Sequence, residues 1–222
     1  MNIKFLLKLT VLLLGFAYQA IGLPEETALG ALKTLLKSMN TLEAHVHQTL
    51  QDPQGQRIED QTGILYLKKP AKIYWMVSGA EGRLIISNGQ KIWDFDRGLA
   101  QVIVQKIHPK KQLQASPLFF LSGHLDQLHR YFNVQRLAKQ GKYCMNRSTQ
   151  CFDLKAKQGQ VDQAFEAMQL GFFEGHLQEM RLLDALGQSV YWTFSQVRLN
   201  QPIAEERFNF KIPEGVDVLV QE

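Results

Sequence analysis

Three stretches between residues 62 and 105 determine the architecture of this chain: T-G-I-L-Y-L-K-K-P-A-K-I-Y-W-M-V (62–77), R-L-I-I-S-N-G-Q-K-I-W-D-F-D (83–96) and Q-V-I-V-Q (101–105). A strand with one face in water alternates apolar and polar residues. Here apolar residues run consecutively, as in 64–67, 73–77 and 84–86. Both faces of these strands therefore need cover, or one face lines an apolar space. Asn88-Gly89, between two such runs, is typical of a hairpin turn.

The rest of the chain continues this strand pattern, with two helices. Proline and two glutamates at 24–26 suit a helix start, and apolar residues then recur at helical spacing, which predicts a helix over 24–40. S-P-L-F-F-L-S-G (116–123) predicts a second, short and very apolar helix. Strands are predicted at 43–51, 57–68, 72–77, 82–87, 91–96, 100–107, 131–137, 142–145, 150–156, 165–173, 177–183, 189–198 and 204–211. The fold class is therefore α+β, mainly β, with one large antiparallel sheet that curls around its apolar side.

The first 22 residues have the pattern of a secretory signal peptide. Lys4 and Lys8 precede an apolar core over 9–18, and Ala20-Ile21-Gly22 is a small-x-small cleavage site. A retained membrane anchor is the weaker interpretation, because about 20 apolar residues are needed to cross a bilayer. We expect cleavage near Gly22-Leu23, export, and one domain over residues 23–222.

The charge of the mature chain excludes one class of partner. The full chain carries a net charge of +4, and removal of the two lysines of the signal peptide lowers it. So mild a charge does not favour nucleic acid or an anionic membrane surface. We expect no nucleic-acid partner.

Cys144 and Cys151 are the two cysteines of the chain. In an oxidising compartment so close a pair predicts a local disulfide that closes a hairpin, worth about 2.5 kcal/mol by the loop-entropy account. Free thiols are the alternative. A zinc site does not fit the spacing of the two residues, since no histidine stands nearby.

Catalytic and metal motifs are missing from the sequence. It contains no Gly-rich phosphate loop, no G-x-S-x-G and no H-E-x-x-H. His45 and His47 share one face of a predicted strand, but no third ligand is placed to complete a metal site. Asp94 and Asp96 are expected on a wet face, opposite Trp93 and Phe95. We therefore expect no enzymatic activity, no metal and no cofactor.

The ordered set of motifs resembles the periplasmic outer-membrane lipoprotein carrier family. The matching pieces are G-I-L-Y-L-K-K-P-x-K-I-Y-W (63–75), I-I-S-N-G-Q-K-I-W-D-F-D (85–96), S-P-L-F-F-L-S-G (116–123), L-x-x-x-R-L-L-D-A-L-G-Q (177–188) and F-x-F-K-I-P-E-G-V-D-V (208–218). They cover nearly the whole mature chain. A sister family, the outer-membrane receptor, shares the fold but is itself a lipoprotein. The missing lipobox cysteine argues against that family here.

The resemblance implies an incomplete antiparallel β-barrel covered by a helical lid, with an apolar cavity between them. Its members are implied to take acylated lipoproteins from an inner-membrane ABC lipoprotein-release complex and to hand them to an outer-membrane lipoprotein receptor. In the family, an Arg hydrogen-bonds to the lid and controls its opening. The matching residue here is Lys69, which keeps the charge but loses the planar bidentate fork.

Large apolar side chains on the predicted strands and helices are the candidates for binding acyl chains. For each of them, ordinary core packing is the alternative. The lid run 118–121 is the most cavity-like, since a compact core rarely needs four large apolar residues in sequence on one short helix. The candidates are Leu32, Leu36, Met39, Leu65, Leu67, Ile73, Trp75, Val77, Leu84, Ile86, Trp93, Phe95, Leu118, Phe119, Phe120 and Leu121.

Two functions follow from these observations. The leading hypothesis is a monomeric periplasmic chaperone that binds the acyl chains of lipoproteins. The alternative is a periplasmic lipid or envelope-stress sensor that acts through a regulatory protein partner. A lipid-modifying enzyme is a third class, for which no pair of nucleophile and base is visible.

Overall fold

The structure is a computed structural model that describes residues 27–79, 81–107, 118, 121–123, 125, 128–137, 149–157 and 165–221. The predicted signal peptide lies outside these residues, as does the strand predicted at 142–145. In the described ranges, no helix has the length and apolar character needed to span a membrane.

Twelve strands form one open sheet, in the order β12-β6-β5-β4-β3-β2-β1-β11-β10-β9-β8-β7. Strands β1–β6 and strands β7–β11 each pair with their neighbours along the chain, and the β1–β11 pair joins the two halves of the sheet. The strands are β1 (Thr41–Gln51), β2 (Arg57–Lys68), β3 (Lys72–Val77), β4 (Arg83–Asn88), β5 (Lys91–Asp96), β6 (Gln101–Lys106), β7 (Phe132–Leu137), β8 (Gln150–Ala156), β9 (Ala167–Phe173), β10 (His176–Leu183), β11 (Ser189–Leu199) and β12 (Asp217–Gln221).

The sheet confirms the mainly β fold that the sequence predicts. Eleven of the predicted strands appear within about two residues of their predicted bounds, and the turn at Asn88-Gly89 joins β4 to β5. One pairing differs from the prediction, because β12 runs parallel to β6 while the other ten pairs are antiparallel. A parallel partner needs a long connection, which residues 107–216 supply.

Helix α1 (Ala28–Ser38) covers one face of the sheet. The hydroxyl of Thr27 accepts a hydrogen bond from the backbone N–H of Gly30 at 3.1 Å and caps the helix. A second helix, α2 (Leu128–Tyr131), precedes β7. The buried face of α1 is formed by Ala31, Leu32 and Leu36, as its apolar spacing predicts.

We call the sheet face that α1 covers the inner face, and the opposite one the outer face. Buried residues alternate along β1, β2 and β3, so one set of side chains from each strand packs inward. The main hydrophobic core lies there and extends from β3 across β1 to β8. It is closed by α1 and by residues Leu121, Leu125 and Leu128.

Residues 203–210, which we call the C-terminal strap, cover the outer face of β2–β5. A strand was predicted at 204–211, and this prediction is wrong: Glu205–Phe208 form a 3-10 turn. The alternating Phe208 and Phe210 suggested a strand, but they pack their rings on the face of the sheet instead of pairing their backbone at its edge. Phe208 is 1% exposed, and the ring of Phe210 lies 5.6 Å from that of Phe95.

Charged side chains hold the strap in place. Glu205 accepts hydrogen bonds from the ammonium groups of Lys68 and Lys72, which lower its pKa to about 2. The guanidinium of Arg207 lies 4.0 Å from the centre of the Tyr66 ring, a cation–π distance. The outer face thus has a cover of aromatic and ionic contacts.

Candidate functional site

Nine of the predicted acyl-binding residues lie together in the core of the inner face. They come from α1, the α1–β1 junction, two strands and the 118–125 segment, which the sequence separates by up to about 90 residues. Each is at most 6% exposed. The nine are Leu32, Leu36, Met39, Leu65, Leu67, Ile73, Trp75, Val77 and Leu121.

A cavity of about 20 Å³ lies within this face, lined by Val46, Leu65, Trp75, Leu118, Trp192 and Phe194. A cavity of this size holds about one water molecule. An acyl chain that enters here must therefore displace the surrounding side chains, above all Leu118, which lies on the segment that covers the sheet.

The Trp75 ring lies over a glycine of the neighbouring strand. A Cβ atom added to Gly63 would be 2.9 Å from Cη2 of Trp75 and 2.2 Å from the carbonyl oxygen of Met76. Glycine therefore gives the indole room to lie flat against β2. The ring position, and with it the shape of the cavity wall, depends on the absence of a side chain at residue 63.

Three lining residues were missed by the sequence analysis. Val46 stands on β1 between two histidines. Its alternation with these polar residues is the signal from which its apolar face could have been predicted. Trp192 and Phe194 stand on β11, where Nε1 of Trp192 donates to Oε1 of Gln48 at 2.6 Å. Their pairing with β1 brings them beside Trp75, and a contact over more than 100 residues cannot be read from a local pattern.

Four predicted residues lie on the other face of the sheet. The register aligns Trp75 with Ile85 and Ile85 with Asp94, so the expectation that Trp93 and Phe95 share the face of Trp75 is wrong. The uninterrupted run at 84–86 hid the parity of β4, because either set of alternate residues could face inward. Leu84, Ile86, Trp93 and Phe95 line the outer face under the C-terminal strap.

The same register brings a charged pair to the inner face. Asp94 accepts a hydrogen bond from Nε of Arg83 at 2.5 Å, and this bond raises the pKa of Arg83. Asp94 and Asp96 do lie opposite Trp93 and Phe95, as predicted, but on the face of Trp75. They give the apolar face a polar margin at β4 and β5.

Comparison with known proteins now bears on this apolar face. Residues 37–211 match the family described as outer membrane lipoprotein carrier protein LolA. The chain belongs to this family. An outer-membrane lipoprotein carrier protein of Hahella chejuensis is 33% identical over 96% of this chain and 98% of its own length. The protein of the same name from Nitrosomonas europaea is 32% identical, with 98% of each chain covered.

A solved structure shares the fold. It is an uncharacterized conserved protein from Thermus thermophilus, with a TM-score of 0.52, and it matches 86% of this chain and 99% of its own. Its sequence is 11% identical, so the likeness concerns the fold and extends no further.

Lys69, the residue predicted to latch the lid, lies between α1 and Gly123 of the 118–125 segment. Its Nζ donates to the backbone carbonyl of Leu36 at 2.5 Å, at the negative end of the α1 dipole. Its alkyl stem packs against Gly123, where an added Cβ would be 3.4 Å from Cγ of the lysine. Burial lowers the pKa of the Lys69 ammonium.

A backbone bond adds to this junction, since the N–H of Ala71 donates to the carbonyl of Ser122 at 3.1 Å. The loop between β2 and β3 thus joins α1 on one side and the 118–125 segment on the other. Lys69 is placed to couple these two elements, although the hydrogen bond of its ammonium goes to α1 and not to the segment.

The histidine pair of β1 points to the outer face. Nε2 of His47 lies 2.6 Å from Oδ1 of Asp60, and Arg57 binds the other oxygen. The bond to His47 lowers the pKa of Asp60. Within the part of the chain that the structure describes, no three His, Cys, Asp or Glu residues are grouped as metal ligands would be.

The remaining predicted residues fall partly outside the described ranges. Cys151 is in a disulfide, whereas Cys144 lies outside these ranges, so the bond between the two stays a prediction. Phe119 and Phe120 also lie outside, between Leu118, which is half-buried, and Leu121, which is fully buried.

Proposed function

We propose that the protein carries lipoproteins through the periplasm by holding their acyl chains against the inner face of the sheet. The observation that supports this most is the cavity among Trp75, Trp192 and Phe194, placed where an apolar cover meets the sheet. The family, whose curated members are named as lipoprotein carriers, supports the same function. In this proposal the chain binds and transfers its cargo and catalyses no reaction.

The energetics of acyl chains explain why such a carrier is needed. Each CH₂ group that leaves an apolar environment for water costs about 0.8 kcal/mol, so a lipoprotein with several chains does not cross an aqueous space by itself. The carrier must offer apolar surface of similar quality and then release it. Side chains that already cover each other, as on the inner face, meet both needs, because they can rebury themselves when the chain leaves.

Opening of the inner face is the step that the junction at Lys69 controls in this proposal. The acyl chain enters between the sheet and the segment that bears Leu118 and Leu121. The segment is attached through the loop that holds Lys69 and Ala71. The described residues of this cover pack on the sheet mainly through apolar side chains, so apolar contacts with an acyl chain can replace those that opening removes.

The direction of transfer is part of the proposal. The chain receives acylated lipoproteins from an inner-membrane ABC lipoprotein-release complex and gives them to an outer-membrane lipoprotein receptor. A soluble intermediate must then bind acyl chains less strongly than the receptor and release them without input of energy. A filled, closed inner face in the free carrier favours release.

The three tryptophans of the chain allow a direct test. Trp75 and Trp192 line the inner cavity, while Trp93 lies on the outer face beside Phe210. A fatty acid with a doxyl quencher on its tail should quench the fluorescence of the W93F variant, which keeps both inner tryptophans. The W75F/W192F variant keeps the outer one and should not be quenched.

Equal quenching of both variants, or none in W93F at saturating fatty acid, would rule out the inner face as the acyl site. The same fatty acid without the quencher serves as the control for changes in fold. Periplasmic purification followed by mass spectrometry then identifies the cargo, and lipoproteins should be recovered with the wild-type protein. Recovery of a regulatory protein in their place would instead support the sensor alternative.

A further inference from the structure

The outer face of β7–β10 contains a second cavity, of about 370 Å³, far from the acyl site. Its floor is a row of residues in register on four neighbouring strands, Gln135, Asp153, Gln169 and Arg181. The last three each stand between two core residues of the inner face, so their side chains point outward. The volume lies in the range of small-molecule sites, about 300–1,000 Å³.

Asp153 is a buried carboxylate that accepts few hydrogen bonds. It is 6% exposed, and it accepts a hydrogen bond from Nε2 of Gln169 at 3.2 Å. An ionised carboxylate can accept about four hydrogen bonds, and the ion pairs of the described residues do not include Asp153. A buried charge without an ion-pair partner in direct contact is costly. The cavity beside Asp153 is therefore a place where a hydrogen-bond donor would be stabilised.

The neighbouring amide points to the same chemistry. Oε1 of Gln169 is buried and accepts no hydrogen bond within the described ranges. Its other end already donates to Asp153, so the oxygen lies beneath the pocket surface without a donor among the described residues. Two acceptors side by side, one of them charged, favour a ligand with several N–H donors, such as a primary ammonium group.

Two cations line the same cavity and add a second requirement. Arg181 donates from Nη2 to the hydroxyl of Ser189 at 3.1 Å and lies 5.2 Å from the centre of the Tyr191 ring. Lys155 stands at the exposed rim. Among the described lining residues, one is a carboxylate and two are cations. A ligand with an ammonium group alone would meet a net positive charge, and one with an anion alone would leave the acceptors unpaired.

We propose that this cavity, which we call the outer pocket, binds a zwitterionic group with a primary ammonium next to a phosphate or carboxylate. The ammonium donates to Asp153, and the anion lies against Arg181 and Lys155. Strands β8 and β10 are two strand spacings apart, about 10 Å, and their side chains converge on one cavity. A group only a few bonds long therefore reaches both ends.

The test uses O-phosphoethanolamine as the probe and O-phosphocholine as its match, because the three methyl groups of choline remove every N–H donor. Titration calorimetry on the full mature chain should show binding of the first compound and at least tenfold weaker binding of the second. The isosteric D153N variant should lose at least tenfold in affinity for O-phosphoethanolamine. D60N, which changes another outer-face carboxylate outside the pocket, should bind like the wild type.

Vesicles separate the two sources of such a group. If vesicles of phosphatidylethanolamine retain the wild type but not D153N, and phosphatidylcholine vesicles retain neither, the ligand is a lipid headgroup. If O-phosphoethanolamine binds and neither vesicle does, it is a free zwitterion. Absence of binding heat up to millimolar O-phosphoethanolamine, equal binding of both compounds, or full binding by D153N overturns the proposal. Acyl-chain binding by D153N should stay at the wild-type level, so this result is independent of the carrier function.

Discussion

Two buried phenylalanines on opposite faces of the sheet offer a stringent test of the acyl site. Phe194 is 2% exposed and lines the inner cavity, whereas Phe208 is 1% exposed and lies in the C-terminal strap. Truncation of a buried phenylalanine to alanine costs about 3–5 kcal/mol. For a chain of this length each kcal/mol lowers the melting temperature by roughly 2–4 °C. Both variants should therefore melt lower than the wild type by roughly 6–20 °C.

The two variants should differ in how they bind acyl chains. Phe194→Ala leaves an apolar space next to the 20 Å³ cavity, into which about two or three methylene groups can pack at about 0.8 kcal/mol each. Its affinity for a fatty acid should thus rise roughly 10- to 50-fold. Phe208→Ala opens a space on the other face, so its affinity should stay within about twofold of the wild type.

Calorimetric melting and titration of a fluorescent fatty acid, at one temperature where both variants are folded, measure these quantities. The reasoning is refuted if Phe208→Ala raises the affinity as much as Phe194→Ala does. It is also refuted if Phe194→Ala lowers the affinity. Phe208→Ala serves as the control for partial unfolding. If it loses stability without gaining affinity, the higher affinity of Phe194→Ala does not come from partial unfolding alone.

Three further changes test the elements around the site. Lys69→Met removes the bond to α1 and keeps the alkyl stem that packs on the cover. The free energy of unfolding, measured in urea, should fall by about 1 kcal/mol, and bound fatty acid should dissociate faster. Lys69→Arg should keep the wild-type dissociation rate. Glu205→Gln tests the strap: because the folded carboxyl has a pKa of about 2, below its unfolded value, its contribution is present above about pH 4.3 and is lost as the pH falls towards 2. The gap in melting temperature between wild type and Glu205→Gln should close over that interval, with acyl binding at neutral pH unchanged. Gly63→Ala forces the Trp75 ring from its place; unfolding free energy should drop by roughly 1–3 kcal/mol, and the emission of Trp75 should shift.

The local sequence pattern predicts where the strands lie, but it does not predict which side chains of each strand point to the inner face. Single-residue alternation determines which face a side chain takes, so the run Leu84-Ile85-Ile86 fits either parity, and the choice is made by the pairing of Ile85 with Trp75. For this reason the prediction that Leu84, Ile86, Trp93 and Phe95 face the cavity is wrong. β1 shows the opposite case: A-H-V-H alternates clearly, and the burial of Ala44 and Val46 follows it.

Long-range contacts explain the other differences. The strap carries an alternating pattern like a strand, but the ammonium groups of Lys68 and Lys72 and the ring of Tyr66 hold it across the face of the sheet. These partners lie more than 130 residues away from Glu205 in the chain. The outer pocket was missed as well, because Asp153, Gln169 and Arg181 are each single polar residues in apolar strands and form a row only when two strand registers are known.

The two covers of the sheet differ in a way that bears on transport. The outer face of β2–β5 is closed by ion pairs, by the Arg207 guanidinium over the Tyr66 ring, and by the Phe210 ring against Phe95. The inner face is closed mainly by apolar side chains that have no preferred partner. Displacement of an apolar contact by an acyl chain costs little, since both surfaces are of the same kind, while displacement of an ion pair would leave charges unpaired. If the proposed function holds, an acyl chain should therefore open the inner face at a lower free energy than the outer one, and the same sheet keeps a fixed cover on one side and exchanges its cover on the other.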